Sequence, residues 1–309
     1  MPKQEKRRIL QDIPFDHTEM MRVLNELTAE YSFLNLAYLG TSILGRPIPI
    51  VTVGSGRREI LYVGAHHGME WITSALLCQF LHDLGETITK NRTVRRVSPS
   101  VCLELCKIVI VPMLNPDGVS YQIHGIDADN PLYERLIRIN PQGEDFSKWQ
   151  ANARGVDLNH NYNAGFWEYK GLEAENGIRE GAPTRYSGEF PESEPEVAAL
   201  CNWIRYHQEL RGILTLHSQG EEIYYRSGGR CAPHTPAIAR RVAQLSGYRL
   251  SEAEGLASYG GLTDWCAIEE RIPCFTLECG KGTNPLPPED APAIYRDLRN
   301  LFFTFPTFV

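Results

Sequence analysis

Short apolar runs rich in β-branched residues alternate along this chain with longer segments of helical periodicity, and this alternation restricts the possible folds most strongly. The strand-like runs are residues 48–53, 60–63, 107–111, 212–216 and 274–278. The segments with helical spacing are residues 17–31, 71–84, 194–207, 235–245 and 290–303. Because strands that alternate with helices pack as layers, the pattern predicts an α/β domain.

The length of the chain and the position of its loop-like segment indicate its domain organisation. Although 309 residues exceed the usual single domain, α/β folds of this length often form one unit with a large core. We therefore expect one domain over residues 1–309, with residues 1–35 as a helical lead-in. Residues 127–192 are rich in Asn, Gly, Pro and charge, with little periodicity, which predicts a long loop region of the kind that carries function.

The charge balance and the lengths of the apolar runs argue against two classes of partner. The net charge is -7, whereas proteins bind nucleic acids and anionic lipids through clusters of Lys and Arg. The longest apolar run, residues 108–114, is far below the roughly 20 residues that cross a bilayer. We expect neither a nucleic acid nor a membrane as partner.

The N-terminal segment and the cysteines concern the cellular compartment. No apolar stretch or small-residue cleavage site of a secretory signal follows the basic start MPKQEKRR. The eight cysteines lie mostly in apolar segments and form no C-x-x-C pair, so we expect free buried thiols, with disulfides or a Cys-zinc site as the alternatives. Both features favour a reducing compartment, and we expect a cytoplasmic protein.

A histidine and a glutamate follow the strand-like run 60–63 in the sequence HHGMEW. A strand that runs through a glycine-containing turn into a helix can bring His67 and Glu70 to one point. Imidazole nitrogen and carboxylate oxygen are both zinc donors, and a catalytic zinc needs three protein ligands plus an open position. Alone, an H-x-x-E pair also describes two surface polar residues.

Two further polar residues end apolar strands. His217 follows the run 212–216, where an imidazole would face a cleft at the sheet edge, although a core histidine with satisfied hydrogen bonds is the alternative. Glu278 ends the run 274–278, and a glutamate is rarely buried without a partner. It would face a charged or catalytic site, or simply reach solvent.

Seven motifs in order resemble the zinc carboxypeptidase family, which has the carboxypeptidase A-like fold. They are HGMEW, VPMLNPDG, RGVDLNHNY, YSGEFPESEPE, LTLHSQ, GGLTDW and FTLECGKG, and the resemblance extends from about Tyr38 to the end. It implies a single metallopeptidase catalytic domain of three α/β/α layers around a mixed, mostly parallel sheet.

The resemblance also implies a metal site and a mechanism. The family's zinc ligands fall on His67, Glu70 and His217, with one Zn2+ per chain, and its general base falls on Glu278. Asp157 falls where the family has a carboxylate that orients the first ligand histidine, although a turn residue is the alternative. A zinc-bound water would attack the scissile carbonyl while Glu278 carries its proton to the leaving amine.

The substrate-binding positions depart from the digestive members of the family. For the oxyanion the family uses an arginine, for which Arg154 is the nearest candidate, with Gln150 also close to that position. Where the family binds a terminal carboxylate through an Asn-Arg pair, this chain has Asn159 and His160. Met69 stands where those enzymes have a second substrate-binding arginine. Histidine offers no bidentate fork, so the implied recognition of a C-terminal carboxylate is weaker or differently organised.

Two more positions are expected to contact the substrate. In the family, the position that selects the substrate side chain lies just after a Gly-Gly pair, and here the resemblance places Thr263 at it. A small residue there leaves room for a distal polar group or is neutral packing. Tyr259 is the candidate for the family's lid tyrosine, with a packed loop tyrosine as the alternative.

The segments WQANARGVDLNHNYNAGF and FTLECGKGTNPLP resemble those of the bacterial branch of the family, which cuts γ-D-glutamyl-diaminopimelate bonds in cell-wall peptides. We therefore expect a peptide or muropeptide substrate. An ordinary carboxypeptidase that removes C-terminal residues is the first alternative, and a non-catalytic module that retains zinc is the second.

Overall fold

Eight strands form one sheet at the centre of the protein. The computed structural model describes residues 9–309, so the basic start MPKQEKRR, the first part of the expected lead-in, lies outside the described residues. The strands are β1 (Leu34–Thr41), β2 (Pro47–Val53), β3 (Arg58–Val63), β4 (Cys106–Val111), β5 (Leu210–His217), β6 (Glu222–Tyr224), β7 (Arg249–Ser251) and β8 (Cys274–Glu278). Their spatial order is β1-β2-β4-β3-β5-β8-β6-β7.

The sheet is mixed. The four neighbouring strands β4, β3, β5 and β8 run parallel, and so do β6 and β7. The pairs β1–β2, β2–β4 and β6–β8 are antiparallel. Parallel strands are normally covered on both faces, and the strands at the centre of this sheet are accordingly buried almost throughout.

Helices cover both faces of the sheet. They are α1 (His17–Glu30), α2 (Ile72–Thr89), α3 (Pro99–Leu105), α4 (Pro116–His124), α5 (Tyr133–Ile139), α6 (Phe166–Glu175), α7 (Pro195–Tyr206), α8 (Thr235–Ser246), α9 (Leu262–Trp265) and α10 (Ala291–Thr304). Buried residues of α1, α2, α8 and α10 form one core with the sheet, and those of α7 and α9 form a core on its other face. The predicted three-layer α/β/α class with a mostly parallel sheet is confirmed.

The long loop predicted for residues 127–192 was wrong in part. This region contains the short helices α5 and α6. Helix α6 buries only Phe166, Tyr169 and Glu173 and has almost no amphipathic periodicity, so no helical signal was visible. From this region, Asp157, Asn159 and Arg185 are among the residues that line the cavity at the site.

The parallel strands bring the predicted site residues to one edge. Strands β3, β5 and β8 are neighbours, and each is followed or ended at its carboxyl end by a polar residue of the prediction. In open α/β sheets that edge is where ligands bind. The register pairs His217 directly with Glu278.

Two other sequence expectations can be compared with the fold. All eight cysteines lie among the described residues and are free thiols, most of them buried. Within residues 9–309, none of the helices has the length and apolar character needed to cross a membrane.

Candidate metal and catalytic site

Three donor residues converge at the carboxyl ends of β3 and β5. His67 precedes a single 3-10 turn, Gly68–Glu70, and His217 is the last residue of β5. A Cβ added to Gly68 would lie 2.4 Å from the carbonyl oxygen of Gly118, so only glycine lets this turn pack so closely. The ligand atoms of His67, Glu70 and His217 all lie within 4.8 Å of one another.

The distances within this cluster suit a tetrahedral cation. The Nδ1 atoms of His67 and His217 are 3.3 Å apart. Tetrahedral zinc with Zn–N distances of about 2.0–2.1 Å separates two ligand nitrogens by about 3.3 Å. The Glu70 carboxylate lies 2.9 Å from Nδ1 of His67 and 3.1 Å from Nδ1 of His217. Its Oε2 is buried and contacts Nδ1 of His217, so this atom lies where it can bind the same metal as the two histidines.

The electrostatics of the cluster favour one bound positive charge. Burial raises the pKa of Glu70, but the charge of His67 and the hydrogen bonds of both histidines lower it to about 2, so the carboxylate is ionised at neutral pH. Burial lowers the pKa of His217, which leaves a neutral imidazole, the form that binds metals. Burial also opposes charge on His67, yet the carboxylates of Glu70 and Asp157 raise its pKa well above the usual value.

Asp157 holds His67 from the side away from the cluster. Its Oδ1 lies 3.1 Å from Nε2 of His67, and its Oδ2 accepts hydrogen bonds from the backbone N–H of Arg185 at 2.8 Å and the Thr184 hydroxyl at 3.2 Å. Burial raises the pKa of Asp157, but the charges of His67 and His160 lower it far below its usual value. An ionised Asp157 accepts a hydrogen bond from Nε2–H of His67, which leaves Nδ1 with a lone pair toward the cluster.

We expect Asp157→Asn to weaken zinc binding by about 10-fold to 100-fold, because such orienting partners contribute that much to metal affinity. An amide keeps the volume but no longer stabilises the Nε2-protonated form of His67. Competition with a zinc-binding dye measures the affinity. An unchanged affinity in a folded variant would show that Asp157 does not orient the histidine.

Glu278 lies beside the cluster without belonging to it. It is partly buried, it lines the same cavity as His67 and His217, and its backbone pairs with that of His217. Burial and the nearby Glu70 carboxylate raise the pKa of Glu278 well above its ordinary value. A cation at the cluster would oppose this effect, since it offsets the charge of Glu70.

The predicted substrate-binding positions fall into two groups. Asn159, His160 and Thr263 line the cavity. The His160 ring stacks on Tyr169, with centroids 4.1 Å apart, and its Nδ1 donates to the carbonyl oxygen of Tyr259 at 2.9 Å. The hydroxyl of Thr263 lies 2.8 Å from that of Thr276 at the cavity wall.

Arg154 and Tyr259 do not line the cavity. The Arg154 guanidinium donates from Nε and Nη2 to the buried carboxylate of Glu194, at 3.1 and 3.0 Å. The Tyr259 ring packs against Gly165, where an added Cβ would lie 2.5 Å from it. The geometry therefore argues against the predicted oxyanion role of Arg154 and against Tyr259 as a lid, because both side chains have other partners.

The cavity also contains residues to which the sequence assigned no role at this site. Arg185, Tyr224, Arg226 and Asp264 line it, as does Gln150, which is close to the position of the family's arginine. Arg185 has a positive φ of 65°, unusual for a residue other than glycine, and its guanidinium makes no ion pair within residues 9–309. Nothing in the local sequence marks these residues, since they come from loops whose direction is set by tertiary contacts.

Comparison with known proteins places this geometry among metallopeptidases. The sequence model described as zinc carboxypeptidase matches residues 20–299. The γ-D-glutamyl-L-diamino acid endopeptidase 1 of Lysinibacillus sphaericus is 34% identical over 288 residues, which cover 93% of this chain and 71% of that protein.

Two solved structures show the same fold at low identity. Bovine thrombin-activatable fibrinolysis inhibitor, solved with a tick carboxypeptidase inhibitor, superposes with a TM-score of 0.72 at 19% identity and covers 97% of each chain. The murein-tripeptide amidase MpaA of Escherichia coli O157 superposes with a TM-score of 0.53 at 21% identity, over 87% of this chain and 91% of that one.

Proposed function

The chain belongs to the zinc carboxypeptidase family of metallopeptidases, and we propose that it hydrolyses the γ-D-glutamyl-meso-diaminopimelate bond of cell-wall peptides. The cluster of His67, Glu70 and His217 carries the proposed chemistry, together with Glu278, which lines the same cavity as the two histidines. The likeness to a γ-D-glutamyl-L-diamino acid endopeptidase over most of the chain supports the substrate class.

We assign one zinc ion to His67, Glu70 and His217. Two imidazoles and one carboxylate, with the spacing of a tetrahedral site, are a donor set of catalytic zinc enzymes. A bound zinc supplies Lewis-acid chemistry, since it lowers the pKa of water toward about 7 and polarises a carbonyl. The protein contributes the fixed geometry through Asp157 and through the strand end that carries His217.

Glu278 is the proposed proton carrier. Its burial and the neighbouring Glu70 raise the pKa of the carboxyl, which favours a group that accepts a proton from water and releases it to the leaving amine. This residue also argues against a non-catalytic zinc module. Such a module has no use for a partly buried carboxylate next to its metal ligands, where Glu278 increases the negative charge at a cost in solvation.

We propose that Gln150, rather than Arg154, donates the hydrogen bond that stabilises the oxyanion. The Arg154 guanidinium is held by Glu194, whereas Gln150 lines the cavity. A side-chain amide donates a hydrogen bond to developing negative charge, as other oxyanion donors do.

The substrate end of the cavity differs from that of a digestive carboxypeptidase, which favours the diaminopimelate substrate over an ordinary C-terminal residue. His160 stacks on Tyr169 and donates to a carbonyl, so it presents no bidentate fork to a terminal carboxylate. One observation favours the second candidate, an ordinary carboxypeptidase. Arg185 lines the cavity and makes no ion pair within residues 9–309, and a guanidinium binds carboxylates.

A substrate panel separates the two candidates. We expect the zinc-loaded protein to cleave L-Ala-γ-D-Glu-meso-diaminopimelate at least about 100-fold more efficiently than blocked dipeptides with free C-termini, because a site built for the γ-D-glutamyl and diaminopimelate groups loses their contacts with an ordinary dipeptide. Chromatographic product analysis gives kcat/KM for each peptide. Cleavage of only the blocked dipeptides would defeat the cell-wall assignment and leave the carboxypeptidase.

We also propose that the protein acts in the cytoplasm on small muropeptide fragments. Eight free cysteines, most of them buried, are compatible with a reducing compartment.

A further inference from the structure

Arg226 lies in the cavity with part of its guanidinium unsatisfied. It follows β6 by two residues, its side chain is 32% exposed, and it lines the cavity together with Tyr224. The guanidinium rests on the ring of Tyr225, 4.8 Å from its centroid. Its Nε is buried and has no hydrogen-bond partner among the described residues. A buried donor without an acceptor is costly unless a ligand provides one.

The one ion pair of Arg226 within residues 9–309 does not account for this placement. Glu252 lies 3.4 Å from Nη1, but its side chain is 62% exposed. Ion pairs with so much solvent contact contribute little to stability. The contact leaves Nε without a hydrogen-bond acceptor.

Asp264 supplies the opposite charge at the same end of the cavity. It lines the cavity, and its Oδ2 accepts a hydrogen bond from the backbone N–H of Gly261 at 3.1 Å. The side chain of Ser227, next to Arg226, also hydrogen-bonds to Asp264. The hydroxyls of Thr263 and Thr276 lie on the same wall. This end of the cavity therefore combines a cation, an anion and hydroxyl groups.

We propose that Arg226 and Asp264 form a subsite for a substrate side chain that ends in both a carboxylate and an amine. The guanidinium binds the distal carboxylate, and the Asp264 carboxylate binds the distal amine. The side chain of diaminopimelate ends in such a carboxylate and amine. The side chain of lysine ends in an amine alone, and it would bring that positive charge toward the Arg226 guanidinium. This inference rests on the proposed function and adds a choice between two diamino acids.

The test compares tripeptides L-Ala-γ-D-Glu-X in which X is meso-diaminopimelate, L-2-aminopimelate or L-lysine. We expect the zinc-loaded wild type to prefer diaminopimelate over lysine by roughly 100-fold in kcat/KM, since a site built for a charged group rejects analogues that lack it. Arg226→Met should remove most of this preference. The aminopimelate peptide, which keeps only the carboxylate, should be cleaved better than the lysine peptide by the wild type.

The matched control is Arg230→Met, which removes an exposed arginine that does not line the cavity. It should keep the wild-type ratio of diaminopimelate to lysine cleavage. Equal cleavage of both peptides by the wild type would overturn the subsite but leave the proposed function standing, and so would a proportional loss on both in Arg226→Met. Failure of the wild type to cleave any of the three peptides would overturn the proposed function itself.

Discussion

Glu278→Gln is expected to lower kcat by about 1000-fold while one zinc remains bound per chain, because general base catalysis commonly contributes 100-fold to 10000-fold. The amide keeps the size of the side chain but cannot accept a proton from water. Zinc should stay, since the donor cluster consists of His67, Glu70 and His217. The fold should be retained as well, because the change removes a partly buried charge next to Glu70.

Steady-state kinetics on the diaminopimelate tripeptide, with metal analysis of the same sample, measures both effects. Glu221→Gln is the matched control. That carboxylate is one residue from the antiparallel partner of Glu278, pairs with Lys281 at 2.6 Å and does not line the cavity. Its turnover should remain close to that of the wild type. Unchanged turnover in Glu278→Gln would exclude Glu278 as the base.

The sequence predicted the central strands well because their signal is local. Buried parallel strands are continuous apolar runs, and the prediction for β8 matched its bounds. Strand β1 was missed because most of its residues are partly or fully exposed, so no apolar run or clear alternation marks it. Strands β6 and β7 have only three residues each, too few for any periodic signal.

The same contrast between local and long-range signals applies to the residues of the candidate site. His217 and Glu278 end apolar strands, and His67 follows one, so the order of the strands already brings them to one edge. The directions of loop side chains depend on residues far away in sequence. Arg154 is held by Glu194, 40 residues later, and this buried partner could not be inferred from the loop. Arg226 depends on the three-residue strand β6, which had not been predicted.

The converging donors also predict how the protein responds to loss of its metal. Without a cation, the buried Glu70 carboxylate and two histidine Nδ1 atoms 3.3 Å apart remain together. A ligand present at about 1000 times its dissociation constant stabilises the folded state by about 4 kcal/mol. At roughly 2 °C per kcal/mol for a chain of this size, removal of zinc by a chelator should lower Tm by about 8 °C. Hydrolysis should stop and return when zinc is added.

His217→Ala should behave as the metal-free protein does, with no zinc retained after dialysis, no hydrolysis, and a Tm that the chelator no longer changes. His124→Ala is the control, since His124 is an exposed residue of α4 whose side chain pairs with Asp16. It should keep both the zinc and the chelator response. Differential scanning calorimetry with and without chelator distinguishes the two variants. A chelator response that persists in His217→Ala would place the metal elsewhere, because removal of one of three protein ligands leaves too few donors for a stable site.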